Sequence, residues 1–225
     1  MKLDLFDYEL PEKSIAQYPS AERGASRLLV MHRDGGVTED RSFSDLPEYI
    51  REGDLLVFND SKVVKARLIG EKRGTGARIE LFLLSGAALT GQGAKANGSL
   101  ACECLAKPAR RLKAGDEVIF GKNLSASVKA RMEDGSVLVE FRFDGAFLDK
   151  LEELGHVPLP PYIKRPDEKC DEDRYQTVYA AAPGSAAAPT AGLHFTEELM
   201  ERLEEKGAMA AFVTLHVGLG TFRPV

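Results

Sequence analysis

The chain has 225 residues, with 44% hydrophobic and 29% charged side chains and a formal net charge of −5. This mixture excludes a disordered chain and allows one large domain or two modest ones. No apolar run approaches membrane-spanning length, and the opening Met1-Lys2-Leu3-Asp4-Leu5-Phe6-Asp7 lacks the apolar core of a signal peptide, so a cytoplasmic protein with no membrane partner is expected.

In chain order, Arg27-Leu28-Leu29-Val30-Met31 reads as a buried strand followed by the turn Asp34-Gly35-Gly36. Residues 43–51 suit a short helix, with Ser44 or Asp45 near its start. The apolar run Leu55-Leu56-Val57-Phe58 stops at Asn59-Asp60-Ser61, which delivers polar side chains to the edge of a sheet, where α/β proteins place ligands. Six runs rich in β-branched residues then alternate with glycine turns, at 63–69, 78–83, 101–105, 117–120, 125–130 and 136–141. That spacing predicts a small antiparallel barrel, with 86–99 as a loop inside it.

Asp144 is placed to cap a helix carrying Phe147, Leu148, Leu151 and Leu154, with Gly155 as its stop. The proline-rich 156–166 stretch favours a stiff extended segment that returns the chain to its first domain. The fold class expected is thus α/β plus β: an α/β domain from 1–61 and 145–225, with the barrel of 62–144 inserted. Near the end, Ala187-Ala188-Pro189-Thr190-Ala191-Gly192-Leu193-His194-Phe195 leads into a helix capped by Thr196 and stopped at Gly207. A strand over 210–217 follows, then the turn Gly218-Leu219-Gly220-Thr221. Two histidines beside two loops, His194 and His216, make a candidate site.

The three cysteines, Cys102, Cys104 and Cys170, are too few and too odd in number for a disulfide framework, and no histidine near them completes a metal site, so no metal is expected. Charge is uneven along the chain. From Ser61 to Lys113 eleven basic residues face only three acids. Such a block suits a polyanionic partner, because phosphate contacts come from Lys and Arg; a solvated charged face produces the same count. Lys107, Arg110, Arg111 and Lys113 form its densest cluster, bracketed by Pro108 and Gly115.

The chain resembles the S-adenosylmethionine:tRNA ribosyltransferase-isomerases of queuosine biosynthesis. The likeness rests on Ile15-Ala16-Gln17-Tyr18-Pro19, Ser26-Arg27-Leu28-Leu29-Val30, Gly53-Asp54-Leu55-Leu56-Val57-Phe58-Asn59-Asp60-Ser61 and Gly155-His156-Val157-Pro158-Leu159-Pro160-Pro161-Tyr162-Ile163. It continues through Asp173-Arg174-Tyr175-Gln176-Thr177-Val178-Tyr179-Ala180, residues 187–195, and Thr214-Leu215-His216-Val217-Gly218-Leu219-Gly220-Thr221-Phe222-Arg223-Pro224-Val225. Ser61 stands where the family has threonine, and Ala186 where it has valine. The barrel matches less closely. Family members run on past the position of Val225, so the α/β domain is expected to be C-terminally truncated.

The resemblance implies transfer and isomerisation of the ribosyl group of S-adenosylmethionine onto an aminomethyl-deazaguanine base in the tRNA anticodon. The product is epoxyqueuosine, with adenine and methionine released. S-adenosylmethionine is then a consumed substrate and no cofactor is expected; the partners are that donor and the tRNA, and the chain is expected to be a monomer. The ribose carbon beside the sulfonium must lose a proton, and histidine titrates near neutrality. His194 or His216 is therefore the expected base or acid, with Asp60 orienting a histidine or contacting the ribose hydroxyls. Arg27 or Arg223 would pair with the methionine carboxylate, and Tyr175 would stack on adenine or donate a hydrogen bond. Asn59 and Thr190 are candidates for substrate contact, although both also suit a network that pins loops. Gly192, Gly218 and Gly220 would let backbone approach the ligand. The basic cluster would meet tRNA. Two other readings are a truncated, non-catalytic tRNA-binding module and a nucleotide-binding α/β domain with an added barrel.

Overall fold

The computed structural model of the chain describes residues 2–84, 86–92, 94–95 and 98–218. After two short 3-10 helices, Leu3–Phe6 and Glu12–Ser14, comes an antiparallel hairpin of β1 (Arg27–Met31) and β2 (Thr38–Ser42). The hairpin runs into a 3-10 helix, Phe43–Tyr49. Ser42 caps that helix, its N–H donating to Asp45 Oδ2 at 3.0 Å, so Ser44 and Asp45 lie near the start as expected. Pro47 lies inside it and has no N–H for an α-helical ladder.

Two short strands follow, β3 (Leu55–Asn59) and β4 (Ser61–Val63). The barrel is built from β5 (Arg67–Lys72), β6 (Ala77–Leu83), β7 (Ser99–Lys107), β8 (Glu117–Gly121), β9 (Leu124–Arg131) and β10 (Val137–Phe143). These strands are antiparallel neighbours in the order β5-β6-β7-β10-β9-β8, and β8 closes the ring onto β5. Alternation drives the closure: Ile79, Leu81 and Leu83 on β6, and Val137, Val139 and Phe141 on β10, all point into one core with no exposed surface. Closure also needs Gly70, where a Cβ would overlap the Ile119 carbonyl and the Phe120 ring.

One expected barrel strand is displaced. The run 63–69 changes partners midway: the Val64 N–H donates to Ser185 O at 3.0 Å and the Ala66 N–H to Val64 O at 2.7 Å, so the chain turns before β5 begins. The stretch 86–99 also differs from the expected loop. It opens with α1 (Gly86–Leu89), whose Ala88 and Leu89 are buried in the barrel core. Helix α2 (Phe147–Leu154) packs Phe147 on Phe141 and Phe143, with centroids 5.2 and 5.0 Å apart. Its cap is Ala146, two residues after the expected Asp144, and Gly155 ends it as expected.

The remaining elements are β11 (Gly155–His156), α3 (Lys169–Arg174), β12 (Ala182–Ser185), α4 (Glu197–Glu205) and β13 (Met209–Val213). Strand β11 extends the barrel sheet beside β5, whereas β12 and β13 run parallel to β4 and β3. Thr196 caps α4 by accepting from the Leu199 N–H at 3.2 Å, and Leu199 and Leu203 bury its inner face with Phe43. The molecule is therefore an α/β assembly of parallel strand pairs and short helices, interrupted in sequence by a closed antiparallel barrel. Among the described residues no helix is long and apolar enough to cross a membrane.

Candidate functional site

The apolar run of β3 ends on Phe58, and the next two side chains bind the chain's far end. Asn59 Oδ1 accepts from the Leu215 N–H at 3.0 Å and the Ser61 N–H at 3.1 Å, while its Nδ2 donates to Leu215 O at 2.9 Å. Asp60 donates its N–H to Val213 O at 3.0 Å, and its Oδ1 accepts from the Thr214 hydroxyl at 2.7 Å. These bonds stop β13 at Val213, four residues before the expected end of the strand. The same segment is held from its other side, where the Val217 N–H donates to Ser185 Oγ at 2.9 Å and Ser185 Oγ donates to Ser61 Oγ at 2.8 Å. His216 lies on this segment, exposed, with its ring over Gly184; a Cβ there would come within 2.7 Å of Nδ1. The structure thus brings Asn59, Asp60 and His216 together, and Asp60 is paired with Thr214.

His194 closes the 3-10 helix Thr190–His194, which follows the buried run Ala186, Ala187 and Ala188. Its ring lies 5.2 Å from that of Phe43. A chain of aromatic contacts leads from it to the end of β3: Phe43 to Phe195 at 5.1 Å, Phe195 to Phe58 at 5.1 Å, and Phe58 to Tyr179 at 4.9 Å. Gly192 is required by this packing, since a Cβ would overlap the Tyr179 hydroxyl. Burial raises the Tyr179 pKa above its ordinary value.

Two residues that the sequence reading passed over hold this loop. Arg23 donates from Nη1 to Gln176 O at 2.8 Å and Leu193 O at 3.1 Å, and from Nη2 to Asp173 O at 2.6 Å. Gln176 mimics a strand neighbour: its Oε1 accepts from the Val63 N–H at 3.1 Å and its Nε2 donates to Val63 O at 3.2 Å. No local sequence signal marks either one, because their partners are backbone groups far along the chain.

Tyr175 and Thr190 line one cavity of about 230 Å³, together with Tyr18, Leu159, Tyr162 and Leu193. Tyr175 is 8% exposed, and burial pushes its pKa up to about 12, against a smaller opposing backbone hydrogen bond with Ala188. Arg165 and Asp171 form a bidentate pair at 2.7 and 2.8 Å beside the cavity. Those hydrogen bonds hold the Asp171 carboxyl below its ordinary pKa despite its burial. Arg27 lies on β1 opposite Ser42 with its side chain exposed. Gly218 is half-buried, with nothing near the place of a Cβ; Gly220 and Arg223 lie outside the described residues.

Cations of the basic block separate into two groups. Lys65 pairs with Glu152 and Glu172, Arg67 with Glu80, Lys72 with Asp116 and Arg73 with Glu117. Lys107 ends β7, and Arg110, Arg111 and Lys113 follow on the connection to β8; all four are exposed, and none of their side chains forms an ion pair or hydrogen bond with a described residue. Leu112, 1% exposed, anchors that connection in the barrel core, so the four charges fan outward from a fixed base. Cys102 and Cys104 are buried in the same core with sulfurs 3.9 Å apart. Among the described residues no three His, Cys, Asp or Glu side chains gather closely enough to hold a metal ion.

A family model described as queuosine biosynthesis protein matches residues 3–225. An S-adenosylmethionine tRNA ribosyltransferase of known crystal structure, from Thermotoga maritima, is 36% identical to this chain. That match covers 95% of this chain and 58% of the other, with a TM-score of 0.37, so the chain spans a little over half the length of that relative.

Proposed function

The chain belongs to the queuosine biosynthesis protein family, and from that premise we propose that it transfers and isomerises the ribosyl group of S-adenosylmethionine onto an aminomethyl-deazaguanine base in a tRNA anticodon. Epoxyqueuosine would form, with release of adenine and methionine. The observation that carries this reading is the placement of His194. It ends a short turn whose preceding residue, Leu193, walls a cavity, and its ring is braced by Phe43.

The chemistry needs three proton movements. The ribose carbon beside the sulfonium, acidified by the positive sulfur, gives up a proton to a base. Adenine leaves more readily when a ring nitrogen is protonated, and the incoming amine attacks only when neutral. Histidine is the side-chain type suited to such transfers, and His194 and His216 each stand on a segment packed against the end of β3 or its aromatic neighbours. Asp60 has one oxygen committed to Thr214 and a second available to accept from a ribose hydroxyl. The unpaired cluster of Lys107, Arg110, Arg111 and Lys113 supplies the phosphate contacts that tRNA binding requires. The test is incubation with S-adenosylmethionine and tRNA carrying the aminomethyl-deazaguanine, following adenine release and the mass of the anticodon base. Both signals are expected. Salt-sensitive tRNA binding with neither signal would replace this reading with the non-catalytic tRNA-binding module.

A further inference from the structure

The cavity beside His194 is built from four separated parts of the chain. Gln17 locks two of them: its Oε1 accepts from the Lys164 N–H at 2.7 Å, its Nε2 donates to Tyr162 O at 3.1 Å, and its carbonyl accepts from Arg165 Nε at 2.8 Å. Arg23 locks the other two by holding Gln176 O and Leu193 O together. The space of about 230 Å³, open on one side, lies below the roughly 300–1,000 Å³ of pockets that take drug-sized ligands. It has room for a fragment, such as one flat ring system. Its walls suit such a shape, because Tyr18, Tyr162 and Tyr175 present rings from three segments, with Leu159 and Leu193 between them.

One ion pair in the cavity wall is already committed. Both guanidinium forks of Arg165 go to Asp171, and the same guanidinium lies 4.2 Å from the centroid of the Tyr18 ring. Arg174, the other cation lining the cavity, donates from Nη1 to the Ala21 carbonyl at 3.1 Å. Asp171 is equally committed, with Oδ1 and Oδ2 taken by Arg165 and Oδ2 also accepting from the Glu168 N–H at 2.8 Å. A guanine-type edge, which offers adjacent N–H donors, would lack the free carboxylate that suits it. The Thr190 hydroxyl at the rim is exposed and bonds to no described residue, which leaves it open to a single ring nitrogen or amino group.

We propose that this cavity seats the adenine ring of the nucleoside donor, with Tyr175 as its buried wall and Thr190 as its polar contact. The assignment rests on the ribosyl-transfer reading for the identity of the donor and adds the place where the departing base is held. A base seated there is one residue from His194, since Leu193 is part of the wall.

The test is calorimetric titration of the wild-type chain and two variants with three probes: adenosine, S-adenosylmethionine and free aminomethyl-deazaguanine. Ala16→Trp plugs the cavity from an exposed lining position, and Tyr162→Ala removes a half-exposed wall. The wild type is expected to bind adenosine and S-adenosylmethionine. Ala16→Trp should weaken both at least tenfold and Tyr162→Ala severalfold, with tRNA affinity unchanged. Since the chain has no tryptophan, the indole emission of Ala16→Trp also reports whether it lies inside the cavity, and Tyr162→Ala keeps the test decisive if that variant misfolds. Three results overturn the assignment: no adenosine binding by the wild type, equal binding by the wild type and both variants, or a preference for the deazaguanine that both variants abolish. Adenine release from S-adenosylmethionine and tRNA, measured on the same wild-type protein, judges the ribosyl-transfer reading separately.

Discussion

Asn59 holds Leu215 by both of its backbone polar groups, accepting from the N–H at 3.0 Å and donating to the carbonyl at 2.9 Å. A side-chain amide here does the work of a strand neighbour, just where the parallel pairing of β3 and β13 runs out. The consequence is positional: the segment carrying His216 is fixed beside Asp60 instead of continuing as a strand.

Asn59→Ala is therefore expected to destabilise the chain by about 1–2 kcal/mol, the sum of two or three partly exposed hydrogen bonds. Asn59→Asp, which keeps the acceptor and loses the donor, should fall between. Urea midpoints with unchanged slopes measure this, and a null result for Asn59→Ala would show that Leu215 is held by something else.

Gly192→Ala places a methyl group against the Tyr179 hydroxyl. Overpacking of this kind costs about 1–3 kcal/mol. Removing the clash from its other side, in Gly192→Ala combined with Tyr179→Phe, should restore a measurable part of the melting temperature. Simple additivity of the two losses would contradict the geometry.

Arg165 and Asp171 set a pH dependence. The Asp171 carboxyl is depressed below its ordinary value by the Arg165 hydrogen bonds, so the folded state binds its proton less readily than the unfolded chain. The stabilisation is fully present above the ordinary carboxylate pKa of about 3.9 and is lost as pH falls through the lower, folded value. Asp171→Asn should cost about 3 kcal/mol near pH 7, because it leaves the Arg165 charge without its carboxylate in a site where both side chains are largely covered. The gap between variant and wild type should narrow at pH 3 and below, as read from urea midpoints across that range. A constant gap would remove the carboxylate from the explanation.

The unpaired cluster on the β7–β8 connection predicts a salt-dependent partner. Changing Lys107, Arg110, Arg111 and Lys113 to alanine together should weaken tRNA binding and flatten its salt dependence by up to about three or four phosphate contacts. Adenosine binding should not change. The same exercise on Lys72 and Arg73, whose charges are met by Asp116 and Glu117, should alter the salt slope much less.

Much of the barrel is legible in the residues themselves, because its strands alternate buried and partly exposed positions between glycine turns. The pattern fails at 63–69, where apolar residues alternating with Lys65 and Arg67 run on as one strand would while the chain leaves one strand pair for another. Pattern reports burial, and both partners bury it. Helix α1 is hidden for the opposite reason: Gly86-Ala87-Ala88-Leu89 is too short to show a period, and only the barrel end that Leu89 fills makes it a helix. At the candidate site, the polar stop at Asn59-Asp60 and the histidine turn stand out in sequence. Their partners do not, since Arg23 and Gln176 act through backbone carbonyls more than a hundred residues away.

His194 is the residue on which the proposed transfer most directly depends. Incubating the chain with S-adenosylmethionine and tRNA bearing the aminomethyl-deazaguanine should release adenine and convert the base, and His194→Gln should slow adenine release by about a hundredfold or more while the variant still binds adenosine and melts cooperatively. Undiminished release by folded His194→Gln would contradict it.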